Sequence, residues 1–548
     1  MLGYVGTRLA GIARPRVRVS PPPAGMIADW DVPVRVRDDT MLRVNVFRPA
    51  GGGRVPVILS AHPYGKDALP RRRGPFGYEA SPQFRMLRQT APPPAFSAWT
   101  SWEAPDPAFW TRHGYAVLNA DLRGCGRSDG VGALLSPGEA EDVFDLLEWA
   151  AAQPWSSGRT GLNGVSYLAM SQYRAAALRP PSLAALCPWE GLTDIYRDLL
   201  YPGGVREDGF IRLWSRLLGK QRLAYGIRTE QLARPLRDAF WRGLVPDLAR
   251  IEAPMLVCGS FSDPNLHTQG LFRAFAHAGS ARKWLYTHRA GKWAAYYSPD
   301  ALETQRRFFD RFLKDAGEGL DEAAPVRLAV HDTRDAPLEV RHERTWPPAA
   351  VAWRELALGA DGRLTEDEPP GGGVPLDADA PARFSWTVAE ALELTGPMAL
   401  RLAVELDGAP DASLFAVVEK WRDGRPVAFE GSYGFGRDAV THGWLKLSHR
   451  ALDRAASRPE APVHEHVARR PLAPGEVAEV ELALRPSATA FRPGDEVRLG
   501  LHLRWPWPRD PLRGTFPARY ESSPPGARVV LHLGTAPPAR LLVPALPR

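Results

Sequence analysis

Gly164-Val165-Ser166-Tyr167-Leu168-Ala169 sits where a short apolar stretch, 160–163, runs directly into a helical stretch over 167–178. A serine on so sharp a strand-to-helix turn is pushed out above a parallel sheet. The backbone N–H of the next residue then points where an oxyanion would form. Glycine ahead of the serine suits the turn, because a side chain there would collide with strained backbone. Ser166 is therefore the candidate nucleophile, and its surroundings read as an α/β fold.

Working outward from this turn, residues from about 30 to 320 alternate short apolar runs with longer helical segments, the pattern of a mainly parallel sheet covered by helices. The runs at 55–60, 115–120, 159–163, 183–187, 254–260 and 283–287 read as buried strands. A helix precedes the serine strand, with Ser136 as N-cap, Pro137 in the first helical position and Glu139 completing a capping box. Its apolar face is Val143, Leu146, Leu147 and Ala150. Ser298-Pro299 opens another helix, whose Phe308, Phe309 and Phe312 are placed to pack on the sheet.

Two segments break the rhythm. Residues 65–108 are rich in Pro, Arg and aromatics without periodicity, which marks a functional or disordered loop. Residues 190–249 are helical in pattern and lie between two strands, where they can cap a substrate pocket. Past Trp346-Pro347-Pro348, short alternating runs and Pro/Gly/Asp turns replace helices, as in an all-β sandwich. The expected organisation is a catalytic core over 30–189 and 250–320, a helical cap over 190–249, a linker over 321–348 and a β-sandwich over 349–548.

Composition narrows the partners. The 548 residues carry a formal charge of +7, but 69 basic residues are spread among 62 acidic ones. The longest basic block is Arg71-Arg72-Arg73, so no nucleic-acid face is expected. Nothing approaches 18 consecutive apolar residues, which argues against a membrane partner. The arginine-rich start lacks the apolar core of a secretory signal. Cys125, Cys187 and Cys258 fall in or beside apolar runs without metal spacing, as expected of buried, reduced thiols in a cytoplasmic protein. His464-Glu465-His466, in a Pro- and Ala-rich stretch, reads as solvated surface, and no metal is expected. The glycines of the 121–130 loop fit neither a P-loop nor a dinucleotide fingerprint. They read as a tight turn with an Arg–Asp brace.

A serine hydroxyl needs a base and an orienting acid. Asp263 follows the 254–260 run and His288 follows the 283–287 run, both at strand ends where open α/β sheets place catalytic groups. The order Ser166, Asp263, His288 is that of α/β-hydrolases. His267, four residues past Asp263 at the start of a helical stretch, is the weaker choice of base. An oxyanion hole needs two donors. The Tyr167 amide is one, and in the loop His62-Pro63-Tyr64-Gly65-Lys66-Asp67 the phenol of Tyr64 could supply the other.

Pro63-Tyr64-x-Lys66, Asp121-x-Arg123-Gly124-x-Gly126-x-Ser128-x-Gly130, Gly164-Val165-Ser166-Tyr167-Leu168 and Thr287-His288-x-x-Gly291-Lys292-Trp293 together resemble the cocaine esterase and X-prolyl dipeptidyl-peptidase group, the CocE/NonD hydrolases. The resemblance runs over nearly the whole chain. It implies an α/β-hydrolase core, a helical cap and a C-terminal jelly roll. It also implies triad roles for Ser166, Asp263 and His288, with the Tyr64 hydroxyl in the oxyanion hole. Ala169 stands where the family commonly has glycine, and is still small enough for close helix–strand packing. The expected activity is hydrolysis of an ester or amide of a small-molecule substrate, without a cofactor. Trp189, Tyr201, Phe210 and Trp214 are the candidate pocket residues. Two alternatives stand beside this reading. One is an X-Pro dipeptidyl aminopeptidase, which needs an anionic anchor such as Glu190 or Asp194; the other is a non-catalytic binding protein using the sandwich.

Overall fold

Short strands alternate with helices as far as residue 343, and in the computed structural model they join one ten-stranded sheet. The structure describes residues 17–81, 93–334, 336–432, 438–507, 516–534 and 538–548, together with 6, 9 and 10. The strands are β1 (Met26–Arg35), β2 (Met41–Pro49), β3 (Val55–His62), β4 (Ala116–Asp121), β5 (Ser156–Val165), β6 (Leu183–Trp189), β7 (Met255–Ser260), β8 (Lys283–His288), β9 (Val326–Val330) and β10 (Glu339–Glu343). Their spatial order is 1-2-4-3-5-6-7-8-9-10. Strands β3 to β9 run parallel; β2 and β10 run against them, and edge strand β1 pairs antiparallel with β2. The order reverses around β3 and β4, so the carboxyl ends of β3, β5, β6, β7 and β8 converge on one rim.

All six apolar runs are strands of this sheet. The expected linker over 321–348 is not one, because β9 and β10 extend the sheet through it. Arg327 hides β9 in the sequence. Its guanidinium lies 4.1 Å from the Tyr286 ring and donates to the Thr287 carbonyl, so a charged residue sits in a buried strand at little cost.

Helix α1 (Pro137–Ala151) begins as read, with the Ser136 hydroxyl accepting from the Glu139 amide at 3.2 Å. The capping box is not reciprocal, however. The Glu139 carboxylate accepts instead from the Leu135 amide at 2.9 Å and from the Tyr167 hydroxyl at 2.6 Å. That diversion ties α1 to α2 (Tyr167–Ala177), the helix that follows Ser166. Helix α5 (Pro299–Leu313) buries Phe308 and Phe309 against the sheet, with Phe312 packed beside them.

Between β6 and β7 the cap includes α3 (Phe210–Leu218), whose Phe210, Ile211, Trp214 and Leu218 face inward. Glu207 caps α3 by accepting from the Gly209, Phe210 and Ile211 amides, and also accepts from the Arg519 amide of the C-terminal domain. Of the 65–108 loop, residues 82–92 lie outside the described residues. The 121–130 turn is braced by arginine as expected, but Arg123 pairs with Asp38 and Asp142; Asp121 accepts the amides of Lys66 and Arg127.

The C-terminal half forms a seven-stranded and a five-stranded antiparallel sheet among the described residues. Leu394, Leu400, Leu402 and Val404 of one sheet and Leu414, Ala416, Leu499 and Leu501 of the other belong to one shared core. His464 and His466 are buried, which corrects their reading as solvated surface. The 450–475 excursion folds beneath the cap, where the His466 ring lies 5.7 Å from that of Tyr196. All three cysteines are buried and unpaired, and no described helix is long and apolar enough to cross a membrane.

Candidate active site

Ser166 joins β5 to α2 with φ 62° and ψ −115°, a conformation L-residues rarely adopt. Gly164 makes the turn possible: it has φ +148°, and a Cβ there would lie 2.5 Å from the Leu168 Cβ. The Val165 amide donates to the Glu103 carbonyl and the Ser166 amide to the Trp189 carbonyl, which fixes the turn from both sides. Ala169 is packed closely, since a Cβ on Gly191 would meet its Cβ at 2.7 Å.

The partner of Ser166 is His267, whose Nε2 lies 3.3 Å from the serine Oγ. The other ring nitrogen, Nδ1, lies 2.5 Å from Asp263 Oδ2. Local backbone geometry explains the pairing. The amides of Leu266, His267 and Thr268 all converge on the Asp263 carbonyl, winding one tight turn into α4 (Thr268–His277). Side chains four residues apart on such a turn stand on the same face.

His288, the expected base, points elsewhere. Its Nδ1 accepts from the Ala290 amide at 3.2 Å, so Nε2 carries the proton, and Nε2 lies 3.0 Å from Glu190 Oε1. Both ring nitrogens are thereby occupied, and neither is hydrogen-bonded to Ser166 or Asp263.

Lys292 lies behind the Asp–His pair, with Nζ 2.7 Å from Asp263 Oδ2 and 3.1 Å from His267 Nδ1. Burial alone would push the Asp263 carboxyl up; Lys292 and His267 more than offset this and hold it well below the usual carboxylate range. Burial, reinforced by the Lys292 ammonium and opposed by Asp263, lowers His267 below the usual histidine value. Burial also disfavours the charged form of Lys292, but Asp263, Glu190 and Glu103 raise its pKa overall. Glu103, beside this cluster, is pushed up to about 8 by burial and the neighbouring carboxylates, against the pull of Lys292.

Tyr64 stands on the other side of the serine. Its hydroxyl accepts from the Trp214 indole at 3.2 Å. Burial and the nearby Glu103 keep the phenol protonated far above its ordinary pKa, against the opposing pull of Trp214 and Ser166. The amide of Tyr167 opens α2, where first-turn amides have no intrahelical acceptor.

Tyr64, Phe210 and Trp214 line a cavity of about 640 Å³ together with Trp102, Leu213 and Leu217. The other two expected pocket residues are core. Trp189 is fully buried against Tyr286 and Tyr296, at 5.1 and 5.4 Å between ring centres. Tyr201 stacks on Tyr196 and donates to the Gln231 carbonyl. The two possible amine anchors are engaged: Glu190 with His288, and Asp194 with Arg197 and Arg237. Sequence reasoning gave no role to Lys292 or Glu103 and treated Trp214 only as a pocket wall. The Asp263-x-x-x-His267 spacing was the signal that could have paired these two side chains beside Ser166.

The X-Pro dipeptidyl-peptidase (S15) family matches residues 38–234, and its C-terminal non-catalytic domain matches residues 318–502. Cocaine esterase from Rhodococcus sp. (strain MB1 Bresler) is 27% identical over 392 residues; this covers 61% of the chain and 62% of the esterase, less than two thirds of that relative's length. An α-amino acid ester hydrolase shares the fold, with a TM-score of 0.72 at 17% identity, covering 95% of this chain and 97% of that one. The crystal structure of a CocE/NonD family hydrolase from Staphylococcus aureus has a TM-score of 0.89 at 33% identity, over 95% of this chain and 94% of that one. With that agreement over almost the full length of both proteins, the chain belongs to the CocE/NonD family of hydrolases.

Proposed function

We propose that this protein is a serine hydrolase that cleaves an ester or amide of a small molecule through an acyl-enzyme on Ser166. The observation that carries the proposal is the hydrogen-bonded run Ser166–His267–Asp263, set on a strained elbow at the carboxyl rim of the sheet. Ser166 Oγ attacks the carbonyl carbon while its proton passes to His267 Nε2. Asp263 holds the Nδ1–H and stabilises the imidazolium. The developing oxyanion takes one hydrogen bond from the Tyr64 hydroxyl and one from the Tyr167 amide. Collapse of this intermediate expels the leaving group with the proton from His267. Water then repeats the sequence on the acyl-enzyme.

The aromatic and aliphatic wall of Trp102, Phe210, Leu213, Trp214 and Leu217 suits an apolar acyl or alkoxy group. The engagement of Glu190 and Asp194 favours an ester or simple amide over a peptide with a free amino terminus. The three buried thiols fit a reducing compartment such as the cytoplasm.

A fluorophosphonate probe is expected to label Ser166 stoichiometrically, and Ser166→Ala is expected to abolish both labelling and hydrolysis of p-nitrophenyl esters at unchanged thermal stability. Labelling at another residue would move the nucleophile away from Ser166, and no labelling would leave a binding role for the sandwich.

A further inference from the structure

A second polar cavity lies away from the nucleophile, between the cap, α4 and the sandwich. It measures about 60 Å³, and its walls include Arg197, Gln269, Arg273, His464 and Arg485. One water needs roughly 10–15 Å³ measured this way, so the space admits a few waters or one small ion. The charges around it do not balance. Arg273 is matched by Asp198, with oxygens at 2.9 and 3.0 Å. Asp194 is shared between Arg237 at 3.0 Å and Arg197 at 3.7 Å, and Asp453 acts on Arg197 more weakly.

Arg485 has no carboxylate at ion-pair distance among the described residues; Asp198, already bound by Arg273, acts on it only from further away. Only 7% exposed, it donates through Nε to the Pro264 carbonyl and lies 4.9 Å from the Trp444 ring. Its two Nη atoms have no acceptor among the described residues. Arg197 Nε is buried without a partner, although Nη2 of the same side chain donates to the His464 carbonyl. Across the space, the Gln269 Oε1 is also buried and unpartnered. Histidine does not relieve the excess: burial pushes His464 down to about 4, so it adds no charge at neutral pH and gives the wall a neutral ring. A buried guanidinium with only a distant, shared counter-charge carries a desolvation cost that an anion would offset. Two planar guanidinium donors facing one small space match the oxygens of a tetrahedral anion better than a halide.

We propose that this cavity binds one small inorganic oxyanion of the phosphate or sulfate type, held by Arg485 and Arg197. Because Arg485 also holds the carbonyl of Pro264, next to Asp263, the bound anion would stiffen the turn that carries the catalytic acid.

The test is thermal denaturation of the full-length protein in buffer free of phosphate and sulfate, titrated with inorganic phosphate at ionic strength matched by chloride. The expected result is a saturable rise in Tm of about 2–4 °C that chloride alone does not give. The isosteric Gln269→Glu places a fixed carboxylate in the cavity. It is expected to raise Tm in phosphate-free buffer and to remove the phosphate response, and Arg485→Met is expected to remove the response as well. The absence of a saturable shift, an equal shift with chloride, or an undiminished response in Gln269→Glu would each overturn the proposal. Gln269→Glu keeps the side-chain shape, so the test stands even where Arg485→Met fails to fold.

Discussion

In the proposed mechanism the Tyr64 hydroxyl is prepared for the transition state before substrate arrives. The Trp214 indole donates into its oxygen, which polarises the O–H toward the space beside Ser166. Tyr64→Phe keeps the packing and deletes one donor made most strongly to the oxyanion. The expected loss is on the order of 10²–10³ in kcat with KM little changed. A loss below about fivefold at unaltered Tm would make Tyr64 a packing residue. Lys292 acts on protons rather than on substrate. Its ammonium, 3.1 Å from His267 Nδ1, disfavours a second positive charge there and helps keep the imidazole neutral. A base whose folded pKa is lowered stays active further into acid. The acid limb of kcat/KM is therefore expected below the ordinary histidine pH, and Lys292→Met is expected to move it to higher pH. An acid limb that stays in place while only Tm falls would assign Lys292 a purely structural role.

Among the elements, the strands were the most legible. β3 to β8 each carry a largely buried run flanked by turns, so the sequence marks them. The histidine was not legible, because the sequence does not show where a ring nitrogen is already occupied. His288 sits at a strand end in the expected chain order, yet the Ala290 amide and Glu190 take both its nitrogens. His267 reads as part of a helix, and the turn entering α4 is what places it against Asp263. The buried His464 and His466 were equally hidden, since a Pro- and Ala-rich excursion has no periodicity to announce its burial under the cap. The elbow is the element on which the site depends most. Gly164→Ala would force a Cβ against Leu168 at a φ of +148°. It is expected to cost about 2 kcal/mol or more in stability, with a loss of turnover measured at a temperature where the variant is still folded. Full activity would mean that the turn relaxes without moving Ser166.

At the scale of the whole molecule, the sandwich is built into the catalytic rim. Arg289, directly after His288, is buried in the C-terminal domain, where it donates to Thr489 and to the carbonyls of Ala439 and Val440. Asn265 donates to the Tyr520 hydroxyl, and Lys420 ties Asp332 at the end of the core sheet to Asp495. The two rim turns that follow β7 and β8 are thus held from outside the α/β core, and their geometry depends on both halves of the chain. The broad division into core, cap and sandwich was readable from texture, whereas these long-range clamps join single residues some 200 positions apart, such as Arg289 and Thr489, and leave no local trace in the sequence. One measurement tests the central claim, that Ser166 is served by His267: kcat for His267→Ala and His288→Ala on the same p-nitrophenyl ester, with Tm recorded for both. The expected result is a loss of several orders of magnitude, about 10⁴ or more, for His267→Ala, against less than about tenfold for His288→Ala. The reverse ranking at comparable stability would contradict it and return the role of base to His288.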